Sequence, residues 1–295
     1  MEWDKSASSL LEKVPPFVQK TVREKVETLA RERGKTLVTE AEVMAAREAF
    51  MDRPQAATAA PHVFAKKPAD HKKLSILRKY PKYFDNDGNP VLYQIKSCRG
   101  AEVNCPFLIT DSNILADKIR NRLEELKFTE KLMNKIEGQI LPHHSMKLAV
   151  SGCPNSCSMP QIKDFGAHAI EPVFVDPASE CIECMKCVET CREDAITVQG
   201  GQVSIDMEKC VHCGLCAKVC PSGSIKAGKK KYRVMIGGKV GRHPKFAIEI
   251  LPQADESITL KALDVCVEMI LSSKTEHRFR ALLEQQGIEE ITKRI

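Results

Sequence analysis

The residues of this chain that are best suited to chemistry are its thirteen cysteines, and all but Cys266 fall into tight groups. Eight of them form two runs with the spacing C-x2-C-x2-C-x3-C. The first run contains Cys181, Cys184, Cys187 and Cys191, and the second contains Cys210, Cys213, Cys216 and Cys220. Corresponding positions lie 29 residues apart (181 and 210), which indicates an internal duplication.

This doubled spacing is typical of bacterial ferredoxins that bind two 4Fe–4S clusters, in which the fourth cysteine of each run ligates the cluster of the other run. We therefore predict a first ferredoxin set of Cys181, Cys184, Cys187 and Cys220, and a second ferredoxin set of Cys210, Cys213, Cys216 and Cys191. Pro221 follows the last cysteine as in the bacterial pattern, whereas Arg192 takes that place in the first run. Zinc is the alternative, but zinc sites usually pair two C-x2-C units across a longer spacer.

Four further cysteines lie before this block as two pairs, Cys98 with Cys105 and Cys153 with Cys157. The second pair follows a predicted strand over residues 147–150, within the segment KLAVSGCPNSCSMPQIKDFG. Four thiolates from two loops suit another cubane cluster. We call these four cysteines the upstream set and predict that they bind a third 4Fe–4S cluster.

The upstream set and its surroundings resemble the signature of the sirohaem-dependent sulfite and nitrite reductases. The likeness is carried by S-G-C-P-N-x-C at 151–157, by Asp164-Phe165-Gly166, and by the glycine-rich stretch I-G-G-K-V-G-R at 236–242. It covers residues 90–176 and 226–295. With a dicluster ferredoxin between those segments, the chain resembles the small anaerobic type of sulfite reductase.

The resemblance implies a six-electron reduction of sulfite or nitrite on sirohaem. In that family the last cysteine of C-P-N-x-C bridges the cluster to the sirohaem iron, and the matching residue here is Cys157. Basic side chains would neutralise the sirohaem carboxylates and bind the anionic substrate. The candidates are Arg99 and Lys147 for catalysis, and Lys239 and Arg242 for cofactor binding.

A haem-free electron-transfer subunit with three clusters, serving a separate catalytic partner, is the alternative. Family members carry a ferredoxin-like half-domain before the first cysteine pair, and residues 73–97 are too short for a full copy. A third interpretation is a scaffold whose N-terminal helices recruit a redox complex.

The predicted fold class is α+β, with a sirohaem-reductase-like α/β core over residues 73–176 and 226–295. The ferredoxin module over 177–225 is an insertion in that core, and residues 52–72 read as a linker. Residues 1–51 form a small helical domain in which Thr39 and Glu42 make a capping box. This part resembles the small helical domain of the light-independent protochlorophyllide reductase B subunit, which implies docking or simple packing. Residues 166–175 read as one strand.

Composition sets limits on the remaining function classes. A net charge of +6 does not identify a nucleic-acid binder, and no apolar stretch is long enough for a membrane helix. The start of the chain has no signal-peptide pattern, so we expect a cytoplasmic protein. The expected partners are a small oxyanion and a redox donor protein or sister subunit, and the sequence allows an oligomer. Cys266 lies on an apolar helical stripe and is predicted to be a buried core thiol.

Overall fold

A computed structural model describes residues 1–12, 14, 16–51, 73–274 and 278–295. The chain divides into two compact units, Met1–Lys66 and Lys67–Ile295. The predicted linker over 52–72 lies outside the described residues. The helices are α1 Lys5–Glu12, α2 Pro16–Glu32, α3 Glu40–Met51, α4 Ser112–Glu125, α5 Phe128–Lys135, α6 Lys186–Thr190, α7 Leu215–Val219, α8 Glu256–Ser272, α9 Phe279–Gln286 and α10 Ile288–Thr292. The strands are β1 Glu2–Trp3, β2 Leu37–Val38, β3 Tyr93–Ser97, β4 Met146–Ser151, β5 Phe165–Ile170, β6 Val173–Val175, β7 Ile196–Gln199, β8 Gln202–Ile205, β9 Ile225–Ala227, β10 Lys231–Ile236 and β11 Ile248–Ala254.

The first unit packs α1, α2 and α3 together with a short parallel pair, β1 and β2. Its small core contains Ala7, Val26, Ala30 and Val38. One half of the predicted capping box before α3 is present, because the Thr39 backbone N–H donates to the Glu42 carboxylate at 3.0 Å. Among the described residues, no helix is long and apolar enough to cross a bilayer.

The second unit is built on a five-stranded sheet with the order β11-β10-β5-β4-β3. Strands β3, β4 and β5 run parallel, and β5, β10 and β11 run antiparallel. Alternate residues of each strand face opposite sides. One side carries Leu148, Phe165 and Val234 and packs against α4, α5 and α8 in the main core. The mixed α and β class predicted from the sequence is confirmed.

The opposite side of this sheet carries polar side chains as well as small apolar ones. Its strand residues include Gln94 and Lys96 on β3, Lys147 on β4, His168 on β5 and Arg233 on β10. We call this side the polar sheet face. The centre of this face is covered, since Gly166 lies on it and packs against Pro160, so of the five polar side chains named only Lys96 and Lys147 are exposed.

The cysteine-rich insertion contains α6, α7, the β7–β8 hairpin and the antiparallel pair β6–β9. Its internal duplication is visible in the backbone, because left-handed residues recur 29 positions apart, as at Glu183 and His212. The same offset relates Met185 to Gly214. A positive φ at these positions turns the chain tightly inside each cysteine loop. The two halves therefore share one loop conformation.

The expectation of one strand over residues 166–175 is wrong. Strand β5 ends at Ile170 in the large sheet, and β6 starts at Val173 and pairs with β9 instead. Pro172 lies at the break and has no backbone N–H to donate to a ladder. Its carbonyl accepts from Gly228 N–H at 2.7 Å, which closes the neck of the insertion. The domain boundaries at 176 and 226 stay a prediction.

Candidate redox site

The upstream set lies at one edge of the large sheet. Cys98 directly follows β3 and Cys153 comes two residues after β4. Because the carboxyl ends of parallel neighbours meet at the same edge, the two loops interlock there. Cys98 N–H donates to the Val150 carbonyl at 3.1 Å, and Gly152 N–H donates to Cys98 Sγ at 3.2 Å. These backbone bonds hold a thiol of each pair beside the other loop.

The four thiols of the upstream set are electrostatic neighbours. Burial raises the pKa of the Cys153 thiol, and three nearby thiols raise it further. Those thiols belong to Cys105, Cys157 and Cys98. Cys98 and Cys153 are buried and Cys105 is half-buried, whereas Cys157 is exposed. Cys157 is thus the most exposed member of the set.

The second ferredoxin set lines a single cavity in the insertion. All four of its cysteines, Cys191, Cys210, Cys213 and Cys216, border that cavity together with apolar side chains such as Val173 and Ile205. Burial, followed by the nearby Cys213 thiol, raises the pKa of Cys216 to about 12. A pocket lined by four thiols that repel each other's charge suits a cationic iron core.

The first ferredoxin set is also drawn together. Burial raises the pKa of Cys187, and the adjacent thiols of Cys181 and Cys220 add to that effect. For Cys220 burial acts in the same upward direction, but hydrogen bonds from Ser224 and nearby backbone groups outweigh it and lower its pKa to about 7. Cys184, the remaining member, is exposed. Among the described residues, no three His, Cys, Asp or Glu side chains converge on a site for a single metal ion.

Two lysines that the sequence did not single out join Lys147 near the start of β4. Burial lowers the pKa of Lys163, and the charges of Lys96 and Lys147 lower it further. The nearest acid is Asp164, whose carboxylate accepts from Lys147 N–H at 2.7 Å and whose pKa burial raises to about 6. The lysines therefore carry more positive charge than one buried carboxylate offsets. Lys96 lies two residues after Gln94 on β3, and Gln94 pairs with Lys147 on β4, so all three side chains share one side of the sheet. The sequence would have indicated Lys96 if this strand pairing had been known.

The glycine-rich segment is hydrogen-bonded to residues 163–164, which follow the Cys157 loop. Gly237 N–H donates to Asp164 O at 2.8 Å, and Gly238 N–H donates to Lys163 O at 2.7 Å. The approach requires glycine, since a Cβ on Gly238 would lie 2.6 Å from the Gln161 carbonyl oxygen. This places the base of the segment beside Lys163, at the start of β5.

The four basic residues expected from the sequence lie in different environments. Lys147 is exposed at the cluster of lysines. Lys239 is half-buried, and its backbone pairs with Lys245. Arg242 is exposed at the tip of the glycine-rich segment. The Arg99 side chain is 66% exposed and lies 3.3 Å from the Glu102 carboxylate. The structure thus brings Lys147 and Lys239 towards one region, and it pairs Arg99 with a surface acid.

A buried histidine lies on the polar sheet face. His168 Nδ1 shares a hydrogen bond of 2.9 Å with the Ser156 hydroxyl, next to Cys157. Its Nε2 is buried and has no hydrogen-bond partner among the described residues. Buried polar atoms are normally satisfied, so this nitrogen has room for a further partner. The exposed Cys157 and the excess lysine charge are compatible with an anionic, thiolate-bound group.

Known proteins support the same family. A family model described as the nitrite and sulphite reductase 4Fe-4S domain matches residues 89–295, and one described as the proto-chlorophyllide reductase 57 kD subunit matches residues 3–47. A coenzyme F420-dependent sulfite reductase of Methanocaldococcus jannaschii is 30% identical over 170 residues, which are 57% of this chain and 25% of that protein. An uncharacterized ferredoxin of the same organism is 29% identical over 109 residues, 35% of this chain and 66% of the ferredoxin.

Among solved structures, dissimilatory sulfite reductase I is similar, with a TM-score of 0.45 and 17% identity over 68% of this chain and 51% of that one. The chain spans about a quarter of the length of the sulfite reductase relative. The resemblance predicted from the cysteine motifs is confirmed, and so is the presence of 4Fe–4S chemistry. Because the family model covers well over half of its length, the chain belongs to the nitrite and sulphite reductase 4Fe–4S domain family.

Proposed function

We propose that this chain is a small sirohaem and 4Fe–4S oxidoreductase that reduces sulfite or nitrite by six electrons. The observation that carries the proposal is the exposed Cys157 thiol, which projects from a set whose other members are buried or half-buried. It lies beside the polar sheet face, because its neighbour Ser156 bonds to His168. An exposed cysteine at this position would be able to hold both the upstream cluster and a second group.

Three cofactor sites follow from the cysteine sets. The upstream set would hold the cluster that is coupled to sirohaem through Cys157, and the two ferredoxin sets would hold one cluster each. When bound, these groups supply single electrons and an iron atom that takes the oxyanion. Backbone N–H groups would stabilise the thiolate charges, as Gly152 N–H would at Cys98 Sγ, 3.2 Å away. A serine hydroxyl would do the same at Cys220, whose Sγ lies 3.3 Å from the Ser224 oxygen.

The lysines act on the anions and on protons. Lys96 and Lys147 would neutralise the carboxylates of sirohaem on the polar sheet face, because burial favours the neutral form of the neighbouring Asp164. Lys163 Nζ is suited to releasing a proton, since burial and the two neighbouring lysines lower its pKa. Reduction of sulfite to sulfide, or of nitrite to ammonia, consumes protons. A half-buried ammonium such as that of Lys163 would supply one of them. Lys239 would extend the same positive region.

The haem-free electron-transfer subunit remains the second candidate. The described residues between 73 and 92 contain only two short 3-10 turns, Leu77–Lys79 and Pro81–Tyr83, before β3 begins. They form no half-domain that would cover the polar sheet face. This observation favours a face that is open or completed by a partner subunit.

Anaerobic purification separates the two candidates. The visible spectrum, the iron count and an acid–acetone extract of the pigment would be measured on the full chain. Sirohaem bands together with more than about twelve irons per chain, the number from three cubanes, support the reductase. Cubane absorbance alone supports the electron-transfer subunit and rejects the reductase.

A cysteine substitution then tests the bridge. We expect Cys157→Ser to abolish sulfite and nitrite reduction while the clusters of both ferredoxin sets remain visible by electron paramagnetic resonance. Cys266→Ser is the matched control, because Cys266 lies in the core of α8 and should not affect cofactor content. Activity that survives in Cys157→Ser would show that this residue is not the bridge.

A further inference from the structure

Arg192 contacts the loop of the upstream set. Its guanidinium carbon lies 4.3 Å from the centroid of the Phe107 ring, well within the range of about 6 Å for a cation–π interaction. Arg192 directly follows Cys191, a member of the second ferredoxin set, and Phe107 comes two residues after Cys105 of the upstream set. The contact therefore joins a loop of the insertion to a loop of the sheet domain, each beside a predicted cluster ligand.

The sequence is asymmetric at this position. In the second run the residue after the last cysteine is Pro221, whereas the first run has Arg192. Pro221 is exposed, and a pyrrolidine ring has neither the length nor the charge to stack on a distant phenyl ring. The duplicated module thus carries the stacking side chain only in the copy whose end meets Phe107.

Other contacts seat the same end of the insertion on the sheet domain. Glu171 N–H, just beyond β5, donates to the His212 carbonyl at 2.8 Å. Gln253 on β11 lies 3.5 Å from the His212 ring. His212 lies between Cys210 and Cys213, so these contacts also fix the second ferredoxin set. In contrast, Cys184 of the first ferredoxin set is exposed, and its neighbour Ile182 is 63% exposed.

We propose that Arg192 is a positioning residue whose stack on Phe107 sets the spacing between the second ferredoxin set and the upstream set. The proposal rests on the cluster assignments of the proposed function. A low-potential one-electron donor would first reduce the cluster of the second ferredoxin set. The electron would then pass across this contact to the oxidised cluster of the upstream set, so the first cluster is reoxidised as the other is reduced. No bond breaks and no proton is required. The exposed first ferredoxin set is then the end that faces the donor.

The test compares three variants of the full chain prepared anaerobically. Arg192→Pro restores the residue of the second run, Phe107→Leu removes the ring but keeps apolar bulk, and Arg192→Lys keeps a cation over the ring. After rapid mixing with dithionite, freeze-quenched samples report when the signal of the upstream cluster appears. The magnetic interaction between the two clusters is read from the same spectra.

We expect the upstream signal to appear several-fold later in Arg192→Pro and Phe107→Leu, because electron tunnelling slows as the distance between two clusters grows. The magnetic splitting should shrink in both while iron content stays unchanged, and in the charge-neutral Phe107→Leu both reduction potentials should also stay unchanged. Arg192→Lys should retain most of the rate. Unchanged rate and splitting in both Arg192→Pro and Phe107→Leu would overturn the inference alone. A wild-type chain with no cluster at the upstream set would instead overturn the proposed function, and this inference with it.

Discussion

Gly152 is the position where a single methyl group should remove the upstream cluster. A Cβ at this residue would lie 2.5 Å from Leu108 Cδ1 and would overlap the Thr110 carbonyl oxygen, which is backbone and cannot rotate away. Overpacking of this kind costs about 1–3 kcal/mol. The displacement also threatens the bond from Gly152 N–H to Cys98 Sγ, and a bond to a charged acceptor contributes about 1.5–3 kcal/mol. Together they give a cost of about 4 kcal/mol, a factor of about 900 in an equilibrium constant.

The assay is the iron content of Gly152→Ala after anaerobic reconstitution, together with its urea unfolding midpoint. We expect a loss of about four irons, one cubane, with both ferredoxin clusters retained. Gly228→Ala is the matched control, because the nearest atom to its Cβ would be the Pro172 carbonyl oxygen at 3.3 Å, in the neck of the insertion. Full iron content and an unchanged unfolding midpoint in Gly152→Ala would refute the claim that these interlocked loops form a ligand site.

Three further predictions concern the surroundings of the site. Burial lowers the pKa of His168 from 6.5 to about 4. Between these two values the unfolded chain binds a proton that the folded chain does not, so the free energy of unfolding decreases as the pH is lowered. Between pH 7.5 and 5.5 wild type should lose about 1 kcal/mol more than His168→Gln in urea denaturation, and parallel pH profiles would contradict this. Cys266→Ala should cost about 1 kcal/mol of stability without lowering the iron count, since the thiol is fully buried in α8, and any loss of iron would make Cys266 a ligand. Gly238→Ala should displace the glycine-rich segment and reduce sirohaem retention while cluster signals persist, and unchanged pigment content would show that the segment does not support the cofactor.

The cysteine sets could be predicted because ligand spacing is a local property of the chain. Short loops fix how thiols converge, so Cys210, Cys213 and Cys216 indicate their site without knowledge of the fold. Sheet pairing is different. Strands β5 and β10 are neighbours, yet the whole insertion separates them in sequence, and nothing local identifies Lys231 as the partner of Ile170. The importance of Lys96 depends on such pairing and was therefore missed.

Proline explains two of the secondary-structure differences. Pro172 divided a predicted strand into β5 and β6, and the signal was present in the sequence. Strand β11 was not predicted, and it contains Pro252. A proline is tolerated there because β11 is the edge strand, where one side of the backbone needs no ladder partner. Edge position is a property of the completed sheet, so the residue pattern of β11 could not reveal it.

The narrow neck between Pro172 and Gly228 has a consequence for the order of folding. To pair Ile170 with Lys231, the chain must close a loop of about 60 residues, which costs about 2 kcal/mol more in loop-closure entropy than a four-residue turn. If the insertion folds first, β6 and β9 already bring the two ends together, and most of that entropy has been lost beforehand. The insertion needs its clusters to fold, so we expect the supply of iron to affect how fast the whole second unit assembles. A chain starved of iron would be slow to join the antiparallel half of its sheet to the parallel half.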